Sequence, residues 1–173
     1  MRDEVASVIP HKIEEKADEY PVESIGIEKD KLLEQLRQFF ESQPLAVLAT
    51  QNGIAPYVNL VAFASNEQLT YILFSTTKAT RKYSNLQANP SVSLLIDNRK
   101  NKIEDFRDAM AVTALGRAEP LEDFERRIME KIYLMKHPYL LDFLHSPTTV
   151  LLKILVDKYI VVTRFQHVVE VSV

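Results

Sequence analysis

Between Leu45 and Phe74 three short apolar stretches follow one another with only turn signals between them, and that rhythm limits the fold more than any other feature. LAVLAT (45–50) runs into Gln51-Asn52-Gly53, and an Asn-Gly pair closes hairpins because both residues tolerate positive φ. PYVNLVAF (56–63) is the returning strand, Asn66-Glu67 marks a second turn, and QLTYILF (68–74) follows. Three adjacent strands with tight turns predict an antiparallel meander. SVSLLID (91–97) alternates as a fourth strand, and AMAVTALGRAE (109–119) predicts a fifth with Gly116 at a bulge or bend. TVLLKILVDKYIVVTRF (149–165) and HVVEVSV (167–173) supply one or two long strands. Six or seven short antiparallel strands with helices at the margins predict a mainly β fold, a small barrel with peripheral α-helices. Near-continuous apolar stretches such as LAVLAT suggest burial on both faces, and in 173 residues a second subunit covers the outer one most readily.

The margins are read from punctuation. Residues 1–28 are polar and acid-rich, broken by Pro10 and Pro21, and predict an N-terminal arm that wraps the domain or a partner chain, or a simple tail. The domain then occupies 29–173. Leu32, Leu33, Leu36, Phe39 and Phe40 recur at helical spacing, with Asp30 as N-cap and Pro44 as stop. A short helix begins near Thr80 and stops at Asn89-Pro90. The charged stretch 98–107 predicts a loop or a single turn. Pro120 opens a helix with Phe124, Ile128, Ile132 and Met135 on one face, and His137-Pro138 breaks it before a shorter helix that runs to about His145.

Composition removes whole classes of chemistry. Without cysteine there is no disulfide, thiolate nucleophile, iron–sulfur cluster or Cys-ligated zinc. Gly26, Gly53 and Gly116 are the only glycines and lie far apart, which excludes a phosphate loop or dinucleotide-binding turn built on clustered glycines. A formal charge of −3 argues against a general nucleic-acid binder. No uncharged run approaches the ~20 apolar residues of a membrane helix. The opening MRDEVASVIPHKIEEK is too charged for a signal peptide, so the expectation is a soluble, cytoplasmic protein without a membrane partner. The four histidines, His11, His137, His145 and His167, lack metal-binding spacing and are expected to be structural or solvent-facing, with no metal site.

The informative stretch is FSTTKATRKYSNLQANPSVSLLID (74–97). A strand ends in Ser75, Thr76 and Thr77, and the helix near Thr80 carries Arg81 and Lys82 in its first turn. Hydroxyls, the unpaired N–H groups of a helix start and two adjacent cations make a site suited to a monophosphate dianion. A capped surface helix with two solvated cations accounts for the spacing equally well.

ATRKYSNLQANPSVSLL (79–95) resembles the pyridoxamine 5'-phosphate oxidase-like family of FMN-binding split-barrel proteins. Arg81-Lys82, Asn85-Leu86, Asn89-Pro90 and the strand Val92 to Ile96 follow that family's order, and LAVLAT, the Asn-Gly turn, Pro56, Gly116 and the helix at 121–136 extend the likeness over roughly residues 30 to 165. The resemblance implies a six- to seven-stranded antiparallel split β-barrel, an FMN cofactor and a homodimer with the flavin at the subunit interface. It implies Arg81 and Lys82 as phosphate ligands beside Thr80, and Ser75 and Thr76 as strand-end contacts to the phosphate or ribityl chain. Tyr57, Val58, Asn59 and Leu60 fall on the strand that flanks the isoalloxazine ring, and Asn98 and Arg99 are candidates for ring or cross-subunit contacts.

Two substrate anchors depart from that pattern. Pyridoxine phosphate oxidases carry basic residues where this chain has Tyr57 and Ala62, and a C-terminal Arg-x-His group where it has Arg164 and His167, one residue too far apart. The resemblance therefore implies FMN binding and flavin-dependent redox chemistry on a small molecule rather than the vitamin B6 reaction. A reductase using the deazaflavin F420, a non-catalytic flavin-binding or sensing module, and a cofactor-free interaction barrel are the alternatives.

Overall fold

The computed structural model describes residues 22–53, 55–164 and 167–173, with side chains from Lys29 onward. Of the expected N-terminal arm, residues 1–21 lie outside the described residues. The first helix, α1 (Val22–Ser42), starts eight residues before Asp30, which is interior to it and caps nothing. An apolar stripe at Leu32, Leu33, Leu36, Phe39 and Phe40 fixes its buried side, and it ends just before Pro44.

Strands β1 (Leu45–Thr50) and β2 (Tyr57–Ser65) form the expected hairpin, with Thr50 opposite Tyr57 as the closing pair. Gly53 takes φ +90°, the conformation the Asn-Gly signal promised, and six residues join the strands, Pro56 falling in the connection rather than on the returning strand. β3 (Tyr71–Thr77), α2 (Arg81–Ala88), β4 (Ser91–Asp97), the one-turn α3 (Asp105–Asp108) and β5 (Met110–Pro120) follow. Pro120 closes β5 instead of opening the next helix. That helix, α4 (Asp123–Lys136), starts from a capping box in which Glu122 and Glu125 satisfy each other's backbone N–H groups. A 3-10 turn at Pro138–Leu140 and α5 (Leu141–His145) lead into β6 (Thr149–Thr163) and β7 (His167–Ser172).

The seven strands form one antiparallel sheet in the order β3-β2-β1-β4-β5-β6-β7, and a further β3–β6 pairing closes six of them into a barrel. β6 is long enough to serve two neighbours on one edge, β3 along Thr149–Leu155 and β7 along Lys158–Thr163. Its other edge pairs with β5, where the register shifts at Leu115/Gly116, the bulge the sequence predicted. Inward residues such as Leu48, Phe63, Phe74, Leu94, Val112 and Ile154 fill the barrel. At one end α1 inserts Phe40 between Phe63 and Tyr159, with ring centroids 5.8 and 5.5 Å away. At the other end α2 contributes Tyr83 and Leu86. Outside, α4 and α5 cover Ala64, Leu73 and Leu151 with Met129, Tyr133 and Leu144.

α4 thus buries Met129 and Tyr133, while Phe124, Ile128 and Met135 of the expected stripe are exposed. Burial on both faces of β1 is likewise not found within one chain: Ala46, Leu48 and Thr50 are buried, and the alternate residues are not. On the same outer surface Val58 and Leu60 are 60% and 63% exposed, directly opposite Ala49 and Val47. Among the described residues no helix is long and apolar enough to cross a membrane.

Candidate functional site

The chemistry concentrates where β3 hands over to α2. Thr76 points to the barrel end that α2 covers, and its hydroxyl lies 3.0 Å from that of Thr80. Thr80 is the N-cap: its Oγ1 donates to the Thr77 carbonyl at 2.9 Å and accepts from the Tyr83 N–H at 3.4 Å. Arg81 and Lys82 occupy the first turn, which carries no acidic residue, and a helix start presents N–H groups without internal partners. Lys82 is half-buried, and burial pulls its ammonium below the usual lysine range. Among the described residues no carboxylate lies within ion-pairing distance of either cation.

Tyr57 joins this group from β2. The Arg81 guanidinium lies over its ring, 5.0 Å from the centroid. A polar bridge ties the two elements beneath them. Asn85 of α2, buried, donates from Nδ2 to Thr50 Oγ1 at 3.0 Å, and Thr50 makes a long 3.5 Å bond to the Tyr57 carbonyl. Asn59, two residues along β2 on the same face, has both amide atoms buried without a hydrogen-bond partner. Such an orphan is uncommon in a folded chain, because a buried unpaired amide forfeits its hydration.

The remaining expected residues are placed elsewhere. Ser75 faces away from Thr76, and its hydroxyl lies 2.8 Å from the Tyr133 hydroxyl of α4. Val58 and Leu60 project outward on the exposed surface of β2. Asn98 and Arg99 sit at the opposite end of β4 from α2. The Asn98 side chain accepts from the Met110 N–H at 2.8 Å, and Arg99 Nε lies 3.2 Å from Asp97. The structure therefore brings together Tyr57, Thr76, Thr80, Arg81 and Lys82 within one chain and leaves Ser75, Val58, Leu60, Asn98 and Arg99 outside that cluster. The Tyr57–Arg81 stack and the Thr50–Asn85 bridge escaped the sequence reading. Thr50, the one hydroxyl ending an otherwise apolar strand, was the available signal.

Of the described histidines, His145 and His167 are exposed and His137 is structural. His137 is fully buried, with Nε2 2.8 Å from the Phe63 carbonyl and Nδ1 3.2 Å from the Tyr139 hydroxyl, and burial holds it below the usual histidine range. Among the described residues no group of three or more His, Asp or Glu is placed to hold a metal ion.

Comparison with known proteins follows the same lines. The chain matches the pyridoxamine 5'-phosphate oxidase family over residues 32–162. Among solved structures it is similar to a heme binding protein from Mycobacterium smegmatis, with a TM-score of 0.72 and 16% identity, covering 81% of this chain and 57% of that one. The chain thus spans little more than half of that relative. A protein related to general stress protein 26 (pyridoxinephosphate oxidase family) from Clostridium acetobutylicum gives 0.64 and 17%, with 83% and 96% covered. An FAD-binding protein from Mesorhizobium loti gives 0.57 and 20%, with 70% and 87% covered. At these identities the structural likenesses establish the split-barrel fold alone. No curated protein matches the chain. The family match spans most of the chain, from the buried side of α1 to the end of β6, and the protein belongs to the pyridoxamine 5'-phosphate oxidase family.

Proposed function

We propose that the protein binds FMN non-covalently at the interface of a homodimer and acts as a flavin-dependent oxidoreductase on a small molecule. The observation that carries this reading is the meeting of Thr76, Thr80 and Arg81 at the start of α2, with Lys82 adjacent and no acidic residue in that turn. The cluster fits a phosphate dianion through the remaining first-turn N–H groups and two cations lacking a carboxylate partner among the described residues, while the Thr76 and Thr80 hydroxyls donate within the chain, to Thr80 Oγ1 and the Thr77 carbonyl. Bound FMN supplies the redox chemistry itself. The protein's part is to hold the phosphate at α2, orient the ring along β2, and exclude water.

The homodimer is supported by the exposed apolar surface of β1 and β2, where Val58 and Leu60 stand beside Val47 and Ala49. A two-fold pairing across that surface also gives Asn98 and Arg99 a route to the ring, because they lie at the other barrel end and reach a flavin held at α2 from the partner. The M. loti protein, named for FAD binding, has the same fold, which supports a flavin here. A cytoplasmic setting belongs to the same proposal.

The test compares FMN with riboflavin in parent protein and in an Arg81→Ala/Lys82→Ala variant. A charge-assisted phosphate contact contributes about 1.5–3 kcal/mol, so losing one weakens FMN binding roughly ten- to a hundredfold. Riboflavin lacks the phosphate, so its weaker binding should be unchanged. Arg126→Ala/Arg127→Ala on α4 is the control. Unchanged FMN affinity in the α2 variant overturns the phosphate site. A mass spectrum of the ligand released from purified protein distinguishes FMN from F420.

A further inference from the structure

Arg81 is an exposed cation with an aromatic ring beneath it. Its guanidinium carbon is 5.0 Å from the Tyr57 ring centroid, and among the described residues no carboxylate holds it. The two residues come from different elements, so their stacking depends on how β2 is fastened to α2. That fastening is the Asn85–Thr50–Tyr57 bridge, whose first bond is buried and 3.0 Å long. Thr50 and Tyr57 are also direct partners in the β1–β2 register, so the strand pairing and the bridge fix the same point. A free arginine samples many rotamers, and immobilising it costs entropy when an anion arrives. A planar guanidinium resting on a ring has had part of that freedom removed beforehand.

We infer that Tyr57 is a positioning residue for the anion site: its ring pre-orders the Arg81 guanidinium at the start of α2, so that this protein sets its phosphate ligand by stacking. The inference rests on the proposed FMN site and adds to it a role for a residue that touches no phosphate. It also gives physical content to the departure at Tyr57: an aromatic residue there supports a cation supplied by α2.

The experiment is a double-mutant cycle on FMN binding, read by quenching of flavin fluorescence, with parent, Tyr57→Leu, Arg81→Ala and the double variant. An exposed cation–π contact corresponds to about a two- to fivefold change in affinity, which is the loss expected for Tyr57→Leu alone. In the Arg81→Ala background Tyr57→Leu should change nothing further. Tyr57→Phe keeps the ring and should restore parental affinity. Riboflavin binding should be equal in parent and Tyr57→Leu, which also reports that the variant is folded. If Tyr57→Leu does not fold, replacing Tyr57 with pentafluorophenylalanine keeps the shape, reverses the ring's charge distribution and should give the same loss. An equal loss in the Arg81→Ala background, or a parallel loss of riboflavin, means that Tyr57 touches the flavin directly and overturns the inference. Parental affinity in Tyr57→Leu overturns it as well. If the parent binds no FMN, the proposed function fails first and takes this inference with it; if Arg81→Ala weakens FMN while Tyr57→Leu does not, only the inference falls.

Discussion

Lys136 ends α4 by donating to the Phe40 carbonyl of α1 at 2.6 Å, with its ammonium 3.8 Å above the Phe63 ring. Those contacts satisfy the last turn of α1 but take the charge largely out of water, and burial holds the Lys136 ammonium at about 8, below its ordinary 10.5. Between those two values the unfolded chain binds more protons at this position than the folded one, so folded stability gains as pH rises through that window. Lys136→Met lacks the gain. The difference in Tm between parent and Lys136→Met should therefore move in the parent's favour from about pH 7.5 to about pH 10. Thermal unfolding at the two pH values checks this, and a constant difference would mean a hydrated ammonium. At the same scale the sequence was least legible. Arg81 and Lys82 stood out because adjacent cations beside hydroxyls are a local pattern. The Tyr57 ring and the Thr50–Asn85 bond depend on pairings 24 and 35 positions apart, and no local pattern encodes those. Ser75 shows the limit from the other side, since neighbours on a strand face opposite ways and only the tertiary fold says which face holds the site.

Among the elements, the strands and the helix stops were legible, and the starts of α1 and α4 were not. β1 and β4 have the bounds their apolar runs announced, and the Gly116 bulge lies where a lone glycine interrupts an apolar strand. The α4 face was misjudged because its apolar residues are too many for one contact stripe, so Phe124 and Met135 remain outside while Met129 and Tyr133 pack inward. Gly116 itself is held by a steric demand: a Cβ there would overlap the Leu155 carbonyl oxygen and crowd the Val156 backbone. The obstacle is main chain on a paired strand, so it cannot swing aside. Gly116→Ala should cost about 3 kcal/mol or more and lower Tm by roughly 10 °C. A loss below about 2 °C in a melting curve would mean that β6 yields at this point.

For the molecule as a whole, the decisive surface is the one a single barrel leaves uncovered. Val58 and Leu60 are exposed in the chain alone, and the sequence announced this surface only as an excess of apolar residues in β1. Placing a charge at its centre separates assembly from folding. If the proposed homodimer pairs across it, Leu60→Glu should shift the protein from dimer to monomer by light scattering at micromolar concentration. It should leave Tm within a few degrees and weaken FMN binding, because the proposed interface site loses its second wall. A dimer that survives Leu60→Glu places the interface elsewhere.

The bulge also decides where the barrel stops being a barrel. β5 pairs Gly116 with Val156 and Leu115 with Lys158, so Asp157 is the surplus residue on β6. On the opposite edge of β6 the same residue marks a change of neighbour: the Val156 N–H still bonds to the Thr70 carbonyl before β3, while the Asp157 carbonyl accepts from Val173 beyond β7. One unpaired residue thus serves as a switch point between two tracks. Before it, β6 is a stave of a closed cylinder; after it, the strand belongs to an open ribbon with β7 as its outer rail. The circumference is consequently fixed by the first half of β6, and changes to β7 alter the length of the ribbon without altering the bore.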